Sequence, residues 1–152
     1  MIQRIQSLYL LLVAILMAIL CFLPFAEFLK DTEVYEQTVW GIRTVGENPE
    51  YVLNTTPMAI LTILSALLPL VTIFLYKWRL LQMRMCIVEM VLLIGLLAYM
   101  IMFLVRTGGD FSDKIVFSIV DLFPLVSLVF AFLAFRGIYK DIVLVKSLDR
   151  IR

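Results

Sequence analysis

The chain has no histidine in 152 residues. That removes the commonest metal ligand and the side chain best suited to proton transfer near neutral pH. Histidine-ligated haem, histidine zinc sites and Ser-His or Cys-His nucleophile systems are excluded. Cysteine is scarce too, with only Cys21 and Cys86. They fall near opposite ends of two predicted spans, some 20 Å or more apart in depth by helix rise. A disulfide needs Cα atoms within about 7 Å, so both read as small apolar fillers. The six glycines build no phosphate-binding loop: Gly108-Gly109 is a turn, and Gly137 is too isolated for a small-residue dimer motif. Charged residues make up 16%, against about 25% in soluble domains. The basic residues of the tail alternate with acids, which argues against nucleic acid. No cofactor is implied. With neither base, nucleophile nor metal set to assemble, an enzyme is not expected.

What is present is apolar surface. Hydrophobic residues reach 63%, too much for a water-soluble fold of this size to hide. Four stretches approach the roughly 20 residues that cross a bilayer. They cover residues 7–25, 57–76, 85–105 and a fourth within 115–138. The first is read as a retained span, because Pro24-Phe25-Ala26 is no small-x-small cleavage site. Arg4, Lys77, Arg79, Arg84, Arg136, Lys140, Lys146, Arg150 and Arg152 lie on one side; Lys30, Arg43, Arg106 and Lys114 lie on the other. The bias predicts both termini in the cytoplasm. The expectation is a single four-span domain over residues 1–152 in a bacterial inner membrane.

The predicted outer loop, residues 26–56, is too long to be structureless. Its segment Glu33–Val45 is rich in β-branched and aromatic residues, a signal for a strand or hairpin. The fourth span has two readings. In one, a helix starts near Ile115 and Pro124 kinks it. In the other, favoured here, Lys114–Val120 is a strand, and the helix starts near Asp121 as N-cap, with Pro124 in the first turn. The stretch from Gly137 places Ile138, Ile142, Val145, Leu148 and Ile151 at helical spacing, with Lys140, Asp141, Lys146, Asp149 and Arg150 on other faces. That predicts a cytoplasmic amphipathic tail, residues 139–152, along the leaflet or against a partner. The fold class is an all-α four-helix transmembrane bundle, with a small extracytoplasmic β-sheet or hairpin and this tail.

Two acids fall in or beside the spans. Glu89 lies five residues beyond Arg84, roughly 7 Å deep. An ionisable group inside a span marks function by default. The plainer reading is a shallow carboxylate paired with Arg4, Arg79 or Arg136. Asp121 is a cap at the interface if the helix starts there, and a buried proton or cation site if it starts at Ile115. Trp78 is expected as an interface anchor, Trp40 as packed under the strands, Pro69 as a kink, and Met85, Met90, Met100 and Met102 as adaptable packing.

The runs Met1-Ile2-Gln3-Arg4-Ile5-Gln6-Ser7-Leu8-Tyr9-Leu10, Leu133–Asp141 and Leu144–Arg152 resemble a bacterial family of small four-span membrane proteins of the Bacteroidota, domain of unknown function 4293. The resemblance covers the whole length, and Ile142 stands where the family pattern has an acid. It implies a bacterial inner membrane and no particular activity. The outer loop is also similar in architecture to the claudin-like arrangement, without its paired cysteines.

The leading expectation is a non-catalytic accessory or scaffold subunit of a membrane assembly. Its partners are the lipid bilayer and either another membrane protein or a second copy. Arg136, Lys140, Asp141, Lys146, Ser147, Asp149 and Arg150 are the candidate contacts. It predicts a dry midplane, with both acids near the interfaces and paired. The alternative is a small transporter or proton-coupled carrier using Glu89 or Asp121. That requires a midplane cavity lined by an acid, with a polar helix face opposite.

Overall fold

The computed structural model describes residues 2–30, 33–45, 51–76, 78–111 and 114–149. It is a four-helix bundle carrying an antiparallel sheet at one end. The elements are α1 (Ile2–Phe22), β1 (Ala26–Lys30), β2 (Glu33–Thr38), β3 (Gly41–Thr44), β4 (Tyr51–Asn54), α2 (Thr56–Phe74), α3 (Arg79–Phe111), β5 (Lys114–Phe117), a 3₁₀ turn (Ile119–Leu122) and α4 (Phe123–Asp149). Four stretches are long and apolar enough to cross a membrane: Ile5–Phe22, Thr56–Phe74, Arg79–Thr107 and Ile119–Val145. In all four helices most of that surface faces outward, which in water would be prohibitive and in lipid is expected. Each helix packs on its sequence neighbour, and α1 packs on α4, closing the bundle.

Two helix ends follow from proline. Pro24 lacks an N–H and disfavours helix in the residue before it, so α1 gives way to β1. Pro57 sits in the first turn of α2, where an N–H is not needed. The third helix starts at Arg79, six residues before the expected span. The basic stretch read as a loop is therefore mostly helix, and the α2–α3 connection is short.

The sheet has five strands in the order β4-β3-β2-β1-β5. Expected as a hairpin with one added strand, it also recruits Ala26–Lys30 and Tyr51–Asn54. Ala26 pairs with both Gln37 and Phe117, and Gln37 with Ile42, so one face carries Ala26, Phe28, Gln37 and Ile42, all buried. The next row, on the opposite face, sets Glu27 beside Glu36 and Glu36 beside Arg43. Arg43 bonds Glu36 at 2.6 Å. The two-residue β2–β3 turn, Val39-Trp40, depends on Gly41. Its φ is +154°, and a Cβ there would lie 2.0 Å from the Leu53 carbonyl oxygen. The Trp40 indole N–H donates to the Cys21 carbonyl at the end of α1, and the Trp40 carbonyl accepts from the Thr55 N–H at the start of α2. Trp40 therefore staples the sheet to two helix ends. It is half exposed at a turn, rather than packed beneath the strands.

Two apolar clusters fill the bundle. The larger joins Val13, Met17, Leu20, Met58, Leu93, Leu96, Met100 and Ala131 to Phe25, Ala26 and Val39 at the sheet end. The smaller, toward the far end, is Leu10, Cys86, Ala134 and Ile138. Cys21 belongs to the sheet end and Cys86 to the far cluster, and both are free thiols.

Candidate membrane-embedded site

Glu89 is fully buried, and neither carboxylate oxygen has a hydrogen-bond partner among the described residues. It is not the shallow, paired acid expected. Arg79 and Arg84 belong to the helix itself, so the depth of Glu89 runs from Arg79. Ten residues of rise place it about 15 Å along α3. Ser65 lies nine residues before the end of α2, about 14 Å from the same turn. The two are level, in the middle of α2, between the far cluster with Cys86 and the sheet-end cluster with Leu93.

The face of α2 turned into the bundle is Met58, Ala59, Thr62, Ser65, Pro69 and Thr72. Half of it is hydroxyl-bearing. The Thr62 and Thr72 hydroxyls donate to the carbonyls of Met58 and Leu68, at 2.8 and 2.7 Å. Ser65 Oγ is buried without a partner. Pro69 has no N–H to return to the Ser65 carbonyl, so that carbonyl lacks its usual helical donor beside the unpartnered hydroxyl. From α4, the buried Ser127 Oγ is also unpartnered. The 58-62-65-69-72 spacing was the available signal for this face, but apolar runs dominate a hydropathy reading and hide it.

Asp121 stands at the sheet end. Lys114–Phe117 is indeed a strand, but the chain then makes a 3₁₀ turn, and α4 begins at Phe123. Ser118 is the N-cap of that turn and Asp121 its third residue, so Asp121 is not the cap. Its carboxylate lies near the positive end of the helix without a hydrogen bond of good geometry. Glu89 and Asp121 lie at different depths, as expected. Toward Asp121 the buried hydroxyls are those of Thr62 and Ser127, set among the apolar side chains of the larger cluster.

The tail is not a separate element, since α4 runs unbroken through Gly137 to Asp149. Its buried side includes an acid. Asp141 is 8% exposed, and its Oδ2 accepts from Gln6 Nε2 at 2.9 Å. Gln6 lies against Gly137, where a Cβ would meet Gln6 Cγ at 2.9 Å. Tyr9 stacks on Phe130. The N- and C-terminal runs singled out in the sequence thus clasp each other at the far end. Asp141 is engaged within the chain, and Arg136 and Lys140 are exposed. Lys146, Ser147 and Asp149 belong to the last stretch of α4, outside the described side chains, and Arg150 lies outside the described residues.

Two surface cavities are well formed. One, of about 370 Å³, is lined by Trp40, Tyr51, Asn54, Thr56, Ala59, Ile60 and Ile63. The other, of about 490 Å³, lies among Trp78, Arg79, Leu80, Leu81 and Arg84. Neither touches Glu89 or Asp121. The polar helix face opposite an acid is present, no midplane cavity is among these two, and among the described residues Glu89 is neither peripheral nor paired.

No curated protein matches this chain. The family model described as Domain of unknown function (DUF4293) matches residues 2–151, and the chain belongs to that family.

Proposed function

We propose that this protein is a non-catalytic subunit of a membrane assembly. It lies in a bacterial inner membrane, with the sheet outside and both termini in the cytoplasm. The lysine and arginine bias supports the orientation. One observation carries the role. α4 continues eight residues past Asp141, whereas α1 begins only four residues before Gln6. About one turn of α4 therefore overhangs the bundle. Val143, Leu144 and Val145, on the turn of α4 just before that overhang, are exposed, near the exposed Arg136 and Lys140. An exposed apolar helical turn flanked by basic residues suits an aromatic or aliphatic groove on another membrane protein. The competing fate is snorkelling at an anionic leaflet. Purification in mild detergent followed by mass spectrometry tests the proposal. A stoichiometric partner should co-purify and be lost when Val143 and Val145 are changed to serine. A chain that runs alone at native expression removes the reading.

The second reading, a small proton-coupled carrier, draws support from Glu89. An unpaired acid deep within a span is costly and rarely without purpose.

A further inference from the structure

Six buried side chains are orphaned among the described residues: Gln37, Thr55, Ser65, Glu89, Asp121 and Ser127. Their distribution is one-sided. They come from the sheet, the 3₁₀ turn, and the halves of α2, α3 and α4 that run from the Glu89 level toward the sheet. Bonded buried groups occur on both sides: Thr72 to Leu68 and Gln6 to Asp141 on the far side, and Thr62 to Met58 and Thr38 to Gly41 toward the sheet. The apolar cluster of Leu10, Cys86, Ala134 and Ile138 lies between Glu89 and the far end.

We propose that Glu89 is a proton-binding site reached only from the sheet end, along a water file anchored by Ser127 and Ser65. Ser127 lies four to seven residues up α4 from the Ala131–Ala134 level that flanks Glu89, a climb of about 6 to 10 Å. Asp121 is six residues further, another 9 Å or so. Each gap exceeds a hydrogen bond, so a proton crosses it only when water enters between these groups, and a buried water needs two to four polar partners. The orphaned hydroxyls, the Ser65 carbonyl and the Asp121 carboxylate supply them. The step is a simple transfer: hydronium at the file gives its proton to the Glu89 carboxylate, leaving water and a neutral carboxyl.

The surroundings favour a proton over a metal ion. Facing Glu89, α2 contributes no charged side chain from Thr56 to Phe74, and α4 none from Phe123 to Phe135. On α3 the nearest titratable group is the buried Cys86, one turn away. β1, which α3 also meets, turns Glu27 to its exposed face. From α1 the titratable groups are Arg4, whose side chain lies outside those described, Tyr9 and Cys21. One carboxylate with two hydroxyls falls short of the six to eight oxygens a hard cation takes. The site stands whether the protein works alone or in an assembly, so its failure and the failure of the docking role are separable.

Infrared titration of the full chain in lipid nanodiscs is the test, with deuterium exchange of the carboxyl as the kinetic readout. A carboxylic C=O band should appear and vanish reversibly with pH, be absent in Glu89→Gln and shift in Glu89→Asp. Ser127→Ala should slow deuterium exchange of that band about tenfold, the worth of one ordinary hydrogen bond. Gln6→Leu, at the far end, should leave it unchanged. Should Glu89→Gln fail to fold, the Glu89→Asp shift alone assigns the band. A band that never titrates overturns the proposal. So does one erased by sodium at constant pH, or exchange indifferent to Ser127→Ala.

Discussion

The two ends of the bundle treat buried polar groups differently. At the far end Gln6 and Asp141 bond each other, and Gly137 gives Gln6 room to lie flat. From the midplane toward the sheet, Glu89, Ser65 and Ser127 are enclosed without partners. A buried polar group is nearly free when bonded and expensive when orphaned. The far end is thus built as a clasp, while the sheet-side interior carries a cost that no packing argument explains. A cost of that kind is retained where a residue works.

The largest effect is expected at the staple that holds the sheet on the bundle. Gly41→Ala forces a Cβ onto the Leu53 carbonyl at a backbone angle that only glycine adopts freely. It should cost about 3 kcal/mol or more, read as a lowered melting temperature or loss of monodisperse protein. If the variant melts with the wild type, the sheet is not coupled to the helices, and the comparison loses one side.

Replacing polar by apolar side chains should then act with opposite sign at the two ends. Asp141→Leu orphans Gln6 and should destabilise by about 1–2 kcal/mol. The double variant with Gln6→Leu should recover most of that, since both partners leave together. Additive losses in that cycle would show the clasp to be incidental. At the midplane, Glu89→Met removes an unpartnered carboxyl of similar length. It should stabilise the protein by about 1–3 kcal/mol, seen as a higher melting temperature in nanodiscs. Destabilisation instead would mean that Glu89 has a structural partner in the membrane.

The smallest effect is expected at Ser127→Ala, within about 0.5 kcal/mol of neutral, because the hydroxyl bonds no other described residue. Near-identical melting beside slowed proton exchange separates a working group from a structural one.

Much of the architecture was legible in the sequence. Runs of about twenty apolar residues have one physical outcome in lipid, so the number of spans and their approximate bounds follow from composition alone. Residues Glu33–Val45 and Lys114–Phe117 announced themselves as strands through β-branched and aromatic density. Other features were not legible. Ala26–Lys30 was hidden behind the first span, because a short strand gains its stability from pairing with Glu33–Thr38 and not from its own pattern. The depth of Glu89 was misjudged because Arg84 was taken as the membrane edge. A long arginine side chain can sit well inside a helix and still reach water. Asp141 was assigned to a partner because it was grouped with Lys140, Lys146, Asp149 and Arg150 on the faces away from the apolar stripe, and only the approach of α1 shows that it faces inward.

The sequence by itself determined that four stretches are long and apolar enough to cross a membrane. Apolar length, the absence of histidine and the charge bias are properties of a chain in a solvent and need no neighbours. Tertiary structure decided which side chains meet: that the two terminal runs clasp through Gln6 and Asp141, and that Glu89 is level with Ser65. It also decided that the orphaned groups all lie on the sheet side. The reason is rotational. Hydropathy says how far a helix reaches through lipid, but only packing against the other three helices sets which face of it turns inward.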